Sequence, residues 1–124
     1  MTNQQAPKIR LSDCSISYEG ASQKKNFGLI ALATDLTSEP DFVQLMPHDQ
    51  VGIYTTRVAY ENPTTPESLR DMAPRLCAAA DLILPGEPLN VICYSCTAAS
   101  VVIGDDVVAQ AIHTVRPGVP VVTP

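Results

Sequence analysis

The residue of this sequence best suited to chemistry is Cys96, which follows a short apolar run and precedes small residues. The run Val91–Tyr94 is typical of a buried strand, and Thr97–Ser100 favours the start of a helix. At such a junction backbone N–H groups and the helix dipole both stabilise a thiolate, the form that acts as nucleophile or general base. The N–H groups around Thr97 are suited to hold a carboxylate. The alternative is a structural thiol, because free cysteine is usually buried.

Cys93 and Cys96 form a C-x-x-C pair, which is also typical of redox proteins. A redox pair needs both thiols at the helix start, whereas Cys93 lies inside the apolar run and is expected to face the core. A zinc site needs four converging ligands. The other candidate ligands show no ligand spacing: Cys14, Cys77, His48 and His113. The sequence therefore predicts no metal site.

A second polar group, Asp35 and Thr37, lies in a loop after the apolar run Phe27–Ala33. These side chains are able to hydrogen-bond a substrate or orient a thiol. Turn chemistry also explains them, and from the residues alone it is the favoured interpretation. Arg57 is suited to bind a carboxylate, but tying down the long loop that follows it is the favoured role.

Alternating strands and helices are expected to position these residues. Four apolar runs predict strands, at Phe27–Ala33, Val51–Thr55, Leu89–Tyr94 and Val119–Thr123. Helices are predicted at Pro40–Met46, Pro66–Leu84 with a kink at Pro74, and Ala98–Val115 with a weak point at Gly104. This alternation predicts an α/β fold, a flavodoxin-like parallel sheet in the order 2-1-3-4. Ligands bind such sheets at the switch point, here between strands 1 and 3.

The bulk composition narrows the class of protein. The 124 residues predict one α/β domain over 27–124, preceded by a polar arm over 1–26 in which Ile9–Ile16 is a weak candidate for an edge strand. A net charge of −5 with scattered basic residues argues against nucleic acid. The sequence shows neither a membrane span nor a secretory signal, and its four cysteines are expected to be reduced thiols. A cytoplasmic protein is predicted.

The segment Tyr94-Ser95-Cys96-Thr97-Ala98-Ala99-Ser100 resembles the Y-x-C-T-S-G-S pattern of the aspartate/glutamate racemase superfamily. The resemblance is to its maleate cis-trans isomerase and arylmalonate decarboxylase branch. Gly28–Glu39 is similar to that branch's first loop, P-x-x-N-T-T-x-E. Further runs look most like the ectoine-utilization proteins of the branch: Ile53–Arg57, Met72–Leu76, Ile83–Glu87 and Ile92–Gly104. The resemblance extends over Phe27–Pro124.

The resemblance implies two similar α/β halves about a pseudo-twofold axis, with one cysteine from each half at a cofactor-independent site for small carboxylates. Cys96 matches the first-half cysteine, a proton-transfer base in racemases and the group thought to attack the alkene in maleate isomerases. Asp35 and Thr37 match loop positions that hold the substrate carboxylate and the thiol, and Thr97 would contribute a backbone N–H. The chain is thus interpreted as the amino-terminal half of an isomerase or racemase-type enzyme.

Two departures from the family pattern leave an alternative open. Asp35 stands where the family usually has Asn, and an anion there repels a carboxylate and a thiolate unless it is protonated or paired. The second half, with its cysteine, is not in this sequence, so the partner is expected to be that half or another copy of the chain. The alternative is an inactive carboxylate-binding or oligomerisation module.

Overall fold

The computed structural model describes residues 12–15 and 24–124, and most of it is one parallel sheet with helices on both faces. Its strands follow the order β2-β1-β3-β4, so the predicted α/β fold and strand order are confirmed. The elements are β1 Lys25–Leu32, α1 Ser38–Leu45, β2 Val51–Val58, α2 Pro66–Arg70, α3 Ala73–Asp81, β3 Val91–Tyr94, α4 Thr97–Ile103, α5 Asp105–His113 and β4 Val121–Val122. Residues 12–15 belong to no helix or strand, and the rest of the Ile9–Ile16 segment lies outside the described residues.

The central strand β1 is packed on both faces. Leu29, Ile30 and Ala31 are fully buried. Because successive side chains of a strand point to opposite faces, a strand covered on both sides reads as a continuous apolar run. The uninterrupted run in the sequence therefore marks the middle of the sheet.

The two faces of the sheet carry separate cores. The larger core joins the sheet to α2, α3, α4 and α5, and includes Ile30, Ile92 and Tyr94. The smaller core lies on the side of α1, whose Phe42 packs against Phe27 with ring centroids 4.9 Å apart. Neighbouring residues of β3 are thereby divided between the two cores.

The helix predicted over Pro66–Leu84 is wrong in detail, because two helices replace it. Thr65 begins α2 with a capping box: its hydroxyl accepts from the Ser68 N–H at 3.1 Å, and the Ser68 hydroxyl accepts from the Thr65 N–H at 2.9 Å. Pro74 lies in the first turn of α3 instead of kinking a longer helix. A first-turn residue needs no N–H donor, so proline starts a helix there at little cost.

The helix predicted over Ala98–Val115 is interrupted at the predicted weak point. Gly104 ends α4 and precedes α5 with a φ of +91°, a backbone conformation that favours glycine. In the described part of the chain, none of the helices is long and apolar enough to cross a bilayer.

Candidate functional site

The loops after β1 and β3 meet at the carboxyl edge of the sheet. Ile30 of β1 is the register partner of Tyr94, the last residue of β3, and the Ser95 N–H donates to the Ile30 carbonyl at 2.9 Å. The hydroxyl oxygens of Ser38 and Ser95 lie 2.7 Å apart and share a hydrogen bond. The strand order had predicted this meeting of loops, but the composition of the loops gave no signal for the serine pair.

Cys96 occupies the N-cap position of α4. Its backbone is extended, its carbonyl accepts the Ser100 N–H at 3.0 Å, and its own N–H donates to the Tyr94 carbonyl at 3.1 Å. Within the described residues, its side chain makes no capping hydrogen bond to the helix. The side chain is 9% exposed and packs in the larger core, while the next residue, Thr97, is exposed. The structure thus places a largely buried thiol beside an accessible helix start.

Tyr94, which the sequence reasoning did not single out, shares this core with Cys96. Its side chain is fully buried, and its hydroxyl donates to Met72 Sδ at 3.8 Å. Burial, and next the charge and hydrogen bonding of the Cys96 sulfur, raise the pKa of Tyr94 far above its ordinary value. The available signal was the short Tyr94-Ser95-Cys96 segment, in which Tyr94 ends the apolar run two residues before Cys96.

Cys93 lies on the opposite face of the sheet from Tyr94 and Cys96. It belongs to the smaller core beside α1, and burial raises the pKa of its thiol. Both cysteines of the C-x-x-C pair are free thiols. The expected orientation of Cys93 into the core is confirmed, and the two thiols do not form the helix-start pair of a redox site.

Asp35 shapes the loop that leads into α1. Its Oδ1 accepts hydrogen bonds from the N–H groups of Thr37 at 2.8 Å and Ser38 at 2.9 Å, and from the Thr37 hydroxyl at 3.3 Å. Bonds from Ser38, more than those from Thr37, lower the pKa of Asp35 to about 2 despite its partial burial. Asp35 is therefore an ionised turn residue whose charge is paired with backbone donors. Thr37 is exposed beside it.

Arg57 ties the loop after β1 to β2. Its Nη1 donates to the carbonyls of Leu32 at 3.0 Å and Asp35 at 2.7 Å, and its Nη2 pairs with Glu39 Oε2 at 3.0 Å. A loop-tying role was favoured from the sequence, but the loop expected was the one after β2. The correction follows from the parallel pairing, which brings Arg57 opposite Ala31 at the end of β1.

The described residues bring no three potential ligands of a metal ion together. Both histidines make hydrogen bonds within the chain. The His48 carbonyl accepts from Lys24 Nζ at 2.7 Å, and His113 Nε2 lies 2.8 Å from the Val119 carbonyl. Neither is near the meeting point of the loops along the fold, since His48 lies before β2 and His113 at the end of α5.

The fold of this chain is found in maleate isomerases of known structure, while no protein-family profile and no curated protein match the sequence. A Nocardia farcinica maleate cis-trans isomerase mutant with a covalently bound succinylcysteine intermediate superposes with a TM-score of 0.58 at 22% identity, over 80% of this chain and 44% of that one. The same enzyme bound to TRIS gives 0.52 at 23% identity, over 81% and 43%. Maleate isomerase Iso from Pseudomonas putida S16 gives 0.50 at 16% identity, over 80% and 44%. The chain spans less than half the length of these enzymes, and the likeness shows the fold.

Proposed function

We propose that this chain is the amino-terminal part of a cofactor-independent, cysteine-dependent enzyme of the isomerase or racemase type that acts on small carboxylates. The observation that carries the proposal is the position of Cys96, at the start of α4 and at the switch point between β1 and β3. Ligands bind parallel sheets at such a point. The fold shared with maleate isomerases supports the same reaction class.

In the proposed reaction, the Cys96 thiolate adds to one alkene carbon of an unsaturated carboxylate such as maleate. The alkene electron pair moves onto the neighbouring carboxylate, the former double bond becomes a single bond and rotates, and the electron pair then returns to expel the thiolate. The N–H of Thr97 and the hydroxyl of Thr37, both on exposed residues at the loops, would hold the substrate carboxylate. Asp35 would order this loop rather than touch the substrate, because its Oδ1 is already engaged.

A second α/β half completes this proposed site, supplied either by the same polypeptide or by another copy of the chain. The maleate isomerases that share the fold are longer than this chain, which covers 44% of the first of them. The resemblance to ectoine-utilization proteins supports a substrate from that catabolic route. Both the partner half and this substrate class are parts of the proposal.

The test is to trap the adduct on the full-length protein. Incubation with maleate is expected to add the mass of one maleic acid to the peptide that contains Cys96, and to yield fumarate. Cys96→Ser is expected to lose the adduct and to reduce turnover by at least about 100-fold, the scale of a lost catalytic group. Cys77→Ser removes another partly accessible thiol and serves as the matched control. An adduct spread over several cysteines, or turnover that survives Cys96→Ser, would contradict the proposal.

A further inference from the structure

The guanidinium of Arg57 holds the chain on both sides of the loop after β1. Its Nη1 donates to the carbonyls of Leu32 at 3.0 Å and Asp35 at 2.7 Å, and its Nη2 pairs with Glu39 Oε2 at 3.0 Å. Leu32 ends β1, Asp35 lies in the loop, and Glu39 lies in the first turn of α1. Because the donors of a guanidinium form a rigid, planar fork, this one side chain fixes the relative positions of all three acceptors.

A continuous path of hydrogen bonds leads from this loop to the residue before Cys96. Asp35 Oδ1 accepts from the Ser38 N–H at 2.9 Å, and the hydroxyl oxygens of Ser38 and Ser95 lie 2.7 Å apart. Ser95 immediately precedes Cys96, and its own N–H donates to the Ile30 carbonyl at 2.9 Å. The loop that the guanidinium holds is therefore joined to the loop of the candidate nucleophile by hydrogen bonds.

These bonds leave the Arg57 guanidinium poorly placed to bind a substrate directly. Its Nη1 already engages two carbonyls, and its Nη2 already contacts Glu39. A carboxylate that bound Nη1 and Nη2 together in a bidentate geometry would have to displace a bond to the loop. The charge is also offset by Glu39, in an ion pair whose two side chains are 39% and 42% exposed. The geometry therefore favours an effect of Arg57 on the loop rather than on the substrate.

We propose that Arg57 is a positioning residue of the candidate site, which keeps the loop after β1 ordered so that Thr37 is in place before a substrate carboxylate binds. Ordering a free loop costs conformational entropy, and a site that is ordered only on binding loses that free energy from its affinity. Arg57 removes this cost without contacting the substrate. The inference rests on the proposed function for the role of Thr37, whereas the order of the loop is independent of any substrate.

The first experiment needs no substrate and measures, by NMR, how fast the amides of Thr37 and Ser38 exchange with water. Both N–H groups are bonded inside the loop, so Arg57→Ala is expected to speed their exchange by about 10-fold as the loop opens more often. Arg75→Ala is the matched control, because Arg75 ties a different loop, the one after β2, through a 3.0 Å bond to a backbone carbonyl. It should leave both rates unchanged. Arg57→Lys keeps the charge but not the fork, and should also speed the exchange.

The second experiment separates KM from kcat for maleate on the full-length protein. Arg57→Ala is expected to raise KM by about 10-fold and to change kcat by less than about threefold, because a disordered loop weakens binding but leaves the thiol in place. Low concentrations of guanidinium chloride should restore part of the KM of Arg57→Ala and have no such effect on Arg75→Ala. A general loss of stability predicts the opposite, since guanidinium destabilises folded proteins.

The two experiments together decide the inference. It is overturned if Arg57→Ala leaves the exchange of Thr37 and Ser38 in place, or if kcat falls while KM is unchanged. Arg57→Lys carries the same tests if Arg57→Ala does not fold. Failure of the proposed function is distinguishable, because the amides would still exchange faster in the Arg57 variants while even the wild type forms no maleate adduct on Cys96. In that case the ordering of the loop stands and its role in binding falls.

Discussion

Cys96 and Asp35 show how far single residues can be interpreted from a sequence. Cys96 was identified correctly as the residue at the end of β3 and the start of α4, because a short apolar run followed by small residues is a local pattern. The choice between turn residue and substrate ligand for Asp35 required hydrogen-bond geometry, which the sequence does not contain. The contact between the Tyr94 hydroxyl and Met72 could not be predicted either, because the two residues are 22 positions apart in the chain.

Asp35 gives a prediction at the same scale, for stability against pH. Its pKa is about 2 in the folded protein and 3.8 in the ordinary reference state. A carboxyl whose pKa is lower in the folded than in the unfolded protein stabilises the fold at pH values above its unfolded pKa. This stability is lost as the pH falls through the folded pKa. We therefore expect the urea midpoint of the wild type to fall between pH 4 and pH 2 by more than that of Asp35→Asn. Because Asp35 is partly exposed, the difference should be small and should shrink in high salt.

Asp13→Asn is the control for this comparison, since Asp13 is an exposed carboxyl outside the loop. The urea midpoint of Asp13→Asn should change with pH as that of the wild type does, over the same pH range. If Asp35→Asn also follows the wild type, the hydrogen bonds to Thr37 and Ser38 do not persist in solution.

Among the elements, the strands were predicted better than the helices. The inner strands β1 and β3 stayed recognisable as apolar runs because burial on both faces removes polar residues. The edge strand β2 is only half-buried, and it extends through Thr56 and Arg57 to Val58, beyond its predicted end at Thr55. The ends of a helix depend on single residues, and one residue type can either interrupt a helix or begin one. Pro74 can kink a helix or begin one, and the sequence alone did not show that the chain turns at Asp71 and Met72. Gly104 was identified as a weak point of the predicted helix. The positive φ with which it separates α4 from α5 is a property of the folded chain.

The loops after β1 and β3 yield a prediction at this scale. The hydrogen bond between Ser38 and Ser95 joins them across 57 positions of sequence. Removing one partner leaves a half-buried hydroxyl unsatisfied, so Ser38→Ala and Ser95→Ala should each lower the free energy of unfolding by about 1 kcal/mol. The double variant should lose less than the sum, since residues in direct contact couple. Chemical denaturation of the four proteins measures this coupling.

Thr97→Ala is the matched control for the cycle, because Thr97 is exposed next to the same loop. Combined with Ser38→Ala, it should show additive effects. Additivity of Ser38→Ala and Ser95→Ala would instead mean that the loops are not joined by this bond in solution.

At the scale of the whole molecule, three exposed apolar side chains lie on or next to α1. Leu36 is 86% exposed, and Val43 and Leu45 on α1 are also exposed. An exposed apolar surface is a candidate site for association between proteins. This surface adjoins the smaller core, on the face of the sheet away from α3.

We therefore expect the chain to self-associate through this surface, as sedimentation velocity over a range of concentrations would show. Leu45→Ser should weaken the association. Leu82→Ser is the control, because Leu82 is also highly exposed but follows α3, on the opposite face of the sheet. A monomer at all concentrations, or equal effects of the two variants, would contradict this expectation. High salt should strengthen the association by screening the net charge of −5.

The separation of Cys93 and Cys96 by the sheet bears on oxidative damage. A thiolate that meets peroxide forms a sulfenic acid, which a neighbouring thiol normally rescues by forming a disulfide. Cys93 cannot do this for Cys96 without unfolding, since it is buried in the core on the other face. Oxidised Cys96 would depend on a small thiol from outside the protein, such as glutathione, and would otherwise proceed to the irreversible sulfinic acid. Cys93 thus offers the thiol proposed for catalysis no route to repair.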